Sequence, residues 1–163
     1  MTRHALALLA ALALAGCHEH DDEHTHGEET DPIEAGCAHL EFGPDISLDL
    51  AAANAPIVTV HTRYRLTLAG DANGYGGTLD LTATAADYYL LLDRAVDLTL
   101  TDASGATVAP VHTMTDPAAC AAAAVVHHYT LTAGDYTLDF GPTDSASLSM
   151  AVHRPGEDHA HAH

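Results

Sequence analysis

Lysine is absent from this chain and arginine is scarce. Arg3, Arg63, Arg65, Arg94 and Arg154 stand against 23 acidic residues, for a formal charge of −18. Such a surface cannot neutralise phosphates, which excludes a nucleic-acid partner. It also repels anionic lipid, so membrane attachment would have to come from a covalent anchor. No apolar run reaches the ~20 residues of a bilayer-spanning helix; the longest is Ala5–Ala15. Catalytic signatures are missing too. There is no HExxH, no Walker loop and no dinucleotide fingerprint. Ser104, Ser145, Ser147 and Ser149 lie in no nucleophile elbow, and no CxxC pair occurs. The sequence reads as non-enzymatic. A field of this sign draws cations, although acidity also serves solubility alone.

What is present begins at the N-terminus. Arg3 gives a basic start, residues 5–15 have the length of a signal-peptide apolar region, and Leu14-Ala15-Gly16-Cys17 follows. This tetrapeptide resembles the lipobox of bacterial lipoproteins. The resemblance implies cleavage before Cys17, a diacylglycerol on its sulfur, and a lipid anchor in the bacterial cell envelope. His18, rather than aspartate, after the cysteine points by the same resemblance to the outer membrane. An ordinary secretory signal cut nearby is the alternative.

Two other cysteines remain, Cys37 and Cys120. Export to an oxidising compartment favours pairing them. The loop closed would span about 84 residues, worth roughly 4–5 kcal/mol of chain entropy less any strain. Two buried free thiols are the other option.

The chain divides into a signal (1–16), a lipidated cysteine with an acidic, histidine-rich tether (17–36), one domain (37–153) and a histidine-rich tail (154–163). Residues 18–35 hold many charges and little apolar content, so they are expected to be disordered, with a reach on the order of 25 Å. From Cys37 onward the apolar period becomes two. Ile46, Leu48 and Leu50 alternate with polar residues, as do Val58 to Leu68, Leu79 to Ala83, Tyr89 and Leu91, Val96 to Leu100, Val125 to Leu131, Tyr136 to Phe140 and Leu148 to Val152. Turn signals such as Asn73-Gly74, Asp102-Ala103-Ser104-Gly105 and Ala133-Gly134-Asp135 separate them. The pattern predicts an all-β domain, a single antiparallel β-sandwich of eight or nine short strands. Asp116-Pro117 before Ala118-Ala119-Cys120-Ala121 reads as one or two helical turns or as a plain loop.

Residues 62–152 resemble the bacterial pre-peptidase C-terminal domain family. The resemblance is carried by Ala86-Asp87-Tyr88-Tyr89-Leu90-Leu91-Leu92-Asp93, by Leu98-Thr99-Leu100-Thr101-Asp102-Ala103-Ser104-Gly105, and by the "Gly-x-Tyr" hairpin of Tyr129–Leu138. It implies a β-sandwich accessory module, sometimes calcium-linked, usually attached to secreted enzymes. This sequence departs from that pattern, and on this reading no attached enzyme is expected.

Half of the fourteen histidines sit in the two tails. His18 and His20, His24 and His26, and His159, His161 and His163 are spaced as His-x-His, which puts the imidazoles on one side of an extended chain. Imidazole suits zinc and copper, and the neighbouring carboxylates add oxygen ligands. The tails therefore read as transition-metal ligands that capture or buffer ions, with hand-off to an envelope protein partner. The alternatives are a polar tether that binds metals only incidentally and a pH-responsive spacer. Inside the domain, His127 shares the apolar register of Tyr129 and Leu131 and is expected to be a hydrogen-bonded core residue. His61 and His128 lie on outward registers. They form a candidate secondary metal pair, with His39 or His112, if their strands are neighbours. His153 is expected to open the tail. Calcium could be held by Asp87, Asp93, Asp97 and Asp102, although turn chemistry explains them more simply. The rival to metal binding is a recognition module whose sheet face takes a glycan, a peptide or an envelope protein.

Overall fold

Alternating apolar and polar residues become strands in the computed structural model, which describes residues 31–51 and 57–156. One helix, α1 (Pro32–Phe42), precedes β1 (Asp45–Asp49), β2 (Ile57–Val58), β3 (Arg63–Thr67), β4 (Ala69–Asp71), β5 (Gly74–Ala83) and β6 (Ala86–Leu92). Then come β7 (Leu98–Asp102), β8 (Thr107–Val108), β9 (His112–Thr115), β10 (Val125–Leu131), β11 (Gly134–Thr143) and β12 (Ser147–His153). The first sheet runs β1-β3-β12-β6-β10-β9 and the second β2-β5-β11-β7-β8, with β4 also on β5. The described residues are all-β apart from this one small helix. Alternate residues of both sheets enter one buried cluster: Tyr64, Leu66, Tyr88, Leu90, Leu92, Tyr129, Met150 and Val152 from the first, Leu79, Leu81, Leu100, Leu138 and Phe140 from the second.

The described residues form twelve strands rather than the eight or nine expected, because one long pattern breaks and the short β4, β8 and β9 lie where no period-two pattern announced them. Residues 58–68 do not run as one strand: His61 adopts φ 60°, a left-handed turn that separates β2 from β3 and sends them to different sheets. A tight turn at Ala72-Asn73 also adds the β4–β5 hairpin. The sheets are not wholly antiparallel either, since β1 pairs β3 and β2 pairs β5 in parallel.

The expected tether ends earlier than residue 36. Asp31 caps α1, its carboxylate accepting from the Ile33 N–H at 2.8 Å, and Pro32 takes the first turn, where its missing N–H costs nothing. Ile33, Cys37 and Leu40 fall at i, i+4 and i+7 and pack on the outer face of the first sheet with Leu91, Cys120, Ala123, Val126 and Ala151. The stripe straddles the boundary drawn from composition, which is why average polarity hid it. Cys37 and Cys120 are joined, S–S 2.05 Å, fastening α1 to the loop before β10. That loop holds no helix. Asp116 lies at φ 47°, and the Cys120 N–H to Pro117 carbonyl (2.9 Å) and Ala123 N–H to Cys120 carbonyl (3.2 Å) bonds mark successive tight turns.

Candidate metal centre

Helix α1 sits close to the sheet because Gly36 has no side chain: a Cβ there would lie 2.6 Å from Leu91 Cδ1 and 3.2 Å from His153 Cβ. Its C-terminal end is held by Arg63. The guanidinium donates to the Leu40 and Glu41 carbonyls (3.3 and 2.7 Å) and forms a two-point pair with Asp45 (2.6 and 2.9 Å). A cation on the last carbonyls also suits the helix dipole. The Arg63 guanidinium in turn holds the Asp45 carboxyl below its ordinary value.

This clamp places His39, in the last turn of α1, beside His61 in the turn before β3 and His153 at the end of β12. His61 Nδ1 is 2.9 Å from His39 Nε2. The His39 and His61 ring centres are 4.7 Å apart, His61 and His153 5.2 Å, and His39 and His153 5.7 Å. One ligand nitrogen from each lies within 4.8 Å of the others. His153 is buried, at 6% exposure, and the other two are half-buried. The His61 N–H donates to the Val152 carbonyl at 2.7 Å, which ties the turn to β12. A non-glycine residue in the left-handed region costs of order 1–3 kcal/mol, and such strain concentrates at functional positions.

The same outer face carries a transverse row of rings. Register sets His153 opposite Tyr89, Tyr89 opposite His128, and His128 opposite His112. Tyr89 and His128 stack in parallel with centres 4.5 Å apart. Burial raises the Tyr89 phenol above its ordinary value, with the carboxylates of Asp87 and Asp31 adding to the effect, so the ring stays neutral. Asp87 Oδ1 accepts from the Thr130 hydroxyl (2.6 Å) and lies 3.2 Å from His128 Nε2. The Thr130 bond and then His128 lower its carboxyl, which stays ionised.

His61 and His128 do not form a pair. Strands β12 and β6 stand between the His61 turn and β10, so each joins a different set. His153 does not open the tail; it is the last residue of β12. His127 faces the other way, half-buried at the core rim beside Thr113, whose Oγ1 is 3.1 Å from its Nδ1, and burial lowers its pKa. Cys17, His18, His20, His24, His26, His159, His161 and His163 lie outside the described residues. The acidic turns have local explanations: Asp102 accepts from the Ser104 and Ala106 N–H groups (2.9 and 3.0 Å), and Asp93 from the Ser149 N–H at 3.0 Å.

The sequence offered His39 as a partner for His61 but did not join His153 to them, because the three sit 22 and 92 positions apart in the chain. One local signal was readable: His153 follows Leu148, Met150 and Val152 out of phase, which places it on the face of Ala151. No protein-family model matches the chain, and no curated protein matches it. The site's own chemistry therefore carries the functional argument.

Proposed function

We propose that this protein is a cell-envelope lipoprotein that binds transition-metal ions, zinc or copper, without catalysing a reaction. Its domain is a two-layer β-sandwich, a reading supported by the single buried cluster to which both sheets contribute and by the likeness to the pre-peptidase module. The observation that carries the metal reading is the convergence of His39, His61 and His153. Three imidazoles without a thiolate suit zinc, copper or nickel rather than calcium or magnesium. Tetrahedral bonds of about 2.0–2.1 Å set ligand nitrogens roughly 3.3 Å apart, so the His39–His61 contact of 2.9 Å would open slightly to admit the ion, a movement these half-buried side chains can supply. A fourth position stays open for water or a passing ligand, which suits an ion that is taken up and given away. In this reading the His-x-His tails collect ions, the trio holds them, and a lipid on Cys17 keeps the whole at the outer membrane. Copper should bind more tightly than zinc by the Irving–Williams order. Binding should fade below about pH 6, where protons compete for imidazole.

Calorimetric titration of Zn²⁺ and Cu²⁺ into residues 18–163 tests the reading, run beside His61→Ala and beside a chain without the tails. The expected result is that the tightest site survives tail removal and disappears in His61→Ala. An unchanged tightest site in His61→Ala, with the variant folded, would remove the trio from the mechanism.

A further inference from the structure

We infer that the outer face of the first sheet carries a second, weaker transition-metal site, formed by the imidazoles of His112 and His128 and oriented by the carboxylate of Asp87. It shares no ligand with the trio and stands or falls separately from it.

His112 and His128 are directly opposite on antiparallel β9 and β10. Side chains so placed leave Cβ atoms about 4.5–5.5 Å apart on one face. Their ring centres are 6.0 Å apart at a 33° tilt, a span that one ion can close with two bonds of about 2.0–2.1 Å. The His128 ring is fixed on two sides. Tyr89 stacks on it, and Asp87 Oδ1 approaches Nε2 at 3.2 Å. Asp87 is itself held by Thr130. The approach falls short of hydrogen-bond geometry, so the anionic oxygen favours a proton on Nε2 by charge alone, which leaves the lone pair on Nδ1. A carboxylate behind a histidine in this way orients a metal ligand and raises its basicity. His112 supplies the other donor from the exposed edge strand, so the site opens to solvent where the trio's His153 is buried. Strands lie about 4.8 Å apart, and β6 separates β10 from β12. Roughly 10 Å thus divides the two sites along the row, room for two ions at once. Two imidazoles hold an ion less tightly than three, so the exposed pair should fill second and exchange faster.

The test uses the full chain, stripped of metal by chelator, with zinc as the probe. Calorimetry counts ions, and NMR follows the histidine rings. The expected result is that His112→Ala binds one Zn²⁺ fewer per chain with unchanged melting, and that His128→Ala loses the same ion. Asp87→Asn should keep the count while weakening that site about 10–100-fold. The His112 and His128 ring signals should move together, after those of the trio. If both histidine variants keep the full count, or if the two rings ignore zinc, the pair is not a site. His39→Ala separates the readings. Loss of the tight ion there with the pair intact supports both. Loss of an ion only in His112→Ala keeps the pair and removes the trio.

Discussion

On its inner face the first sheet contributes Tyr88, Leu90, Leu92, Tyr129, Met150 and Val152 to the buried cluster it shares with the second sheet. On its outer face the same strands present Tyr89, Leu91, His128, Ala151 and His153, partly to α1 and partly to solvent. The inner face is filled by large apolar side chains, as the fold requires. The outer face is divided. Small residues and a disulfide seat a helix on one half, and imidazoles occupy the other. Stability and site chemistry thus lie back to back on single strands. In β10 the change of face comes between adjacent residues, His127 toward the core rim and His128 toward the ring row.

Substitutions on either side test this division. The largest effect should come from the inner face. Leu90→Ala empties a fully buried position and should lower the unfolding free energy by up to ~5 kcal/mol in urea titration; a loss under ~1 kcal/mol would mean that the core tolerates voids there. Next is the seat of the helix. Replacing Cys37 and Cys120 together with alanine should cost ~2–4 kcal/mol, with strand content by circular dichroism retained, because the disulfide lies outside the main core cluster. Collapse of the strand signal would show that the two faces are not separable. Gly36→Ala should cost ~1–3 kcal/mol through overpacking against Leu91. It should also weaken metal binding at the trio, since lifting α1 moves His39; unaltered affinity would disconnect the helix from the site. The smallest effect concerns pH. Burial lowers His127 in the folded state, whereas an unfolded histidine titrates near 6.5, so the unfolded chain takes up the proton first. Its contribution to stability is complete above about pH 6.5 and is lost as pH falls toward the folded value. NMR titration should find the His127 ring below the free-imidazole range, and a normal or raised value would place it on the wet side of the division.

The strands were legible because period two is a local property. Tyr136, Leu138 and Phe140 alternate in the sequence and are buried together in β11. Turns were legible for the same reason, as at Ser104-Gly105. The break at His61 was not, since a left-handed backbone at histidine carries no glycine or asparagine to announce it. Strand order was not legible either. His153, Tyr89, His128 and His112 form one row only because β12, β6, β10 and β9 are neighbours, and pairing between distant segments leaves no trace in a single sequence. Composition misled at α1, where Asp31-Pro32 already spelled a helix start inside a polar stretch.

The bond between Cys37 and Cys120 also decides how the chain carries load. Tension applied between its two ends enters α1 at Asp31, reaches Cys37 within two turns and crosses directly to Cys120. The sequence between them, a separation of 83 residues, hangs as a closed covalent loop beside the path of force. Strands β1 to β9 therefore lie outside that path, and among the described residues a pull lengthens only the start of α1 and the segment from Cys120 onward. Stretched from its ends, the molecule should gain no length from that loop even when β10, β11 and β12 are drawn out of the two sheets.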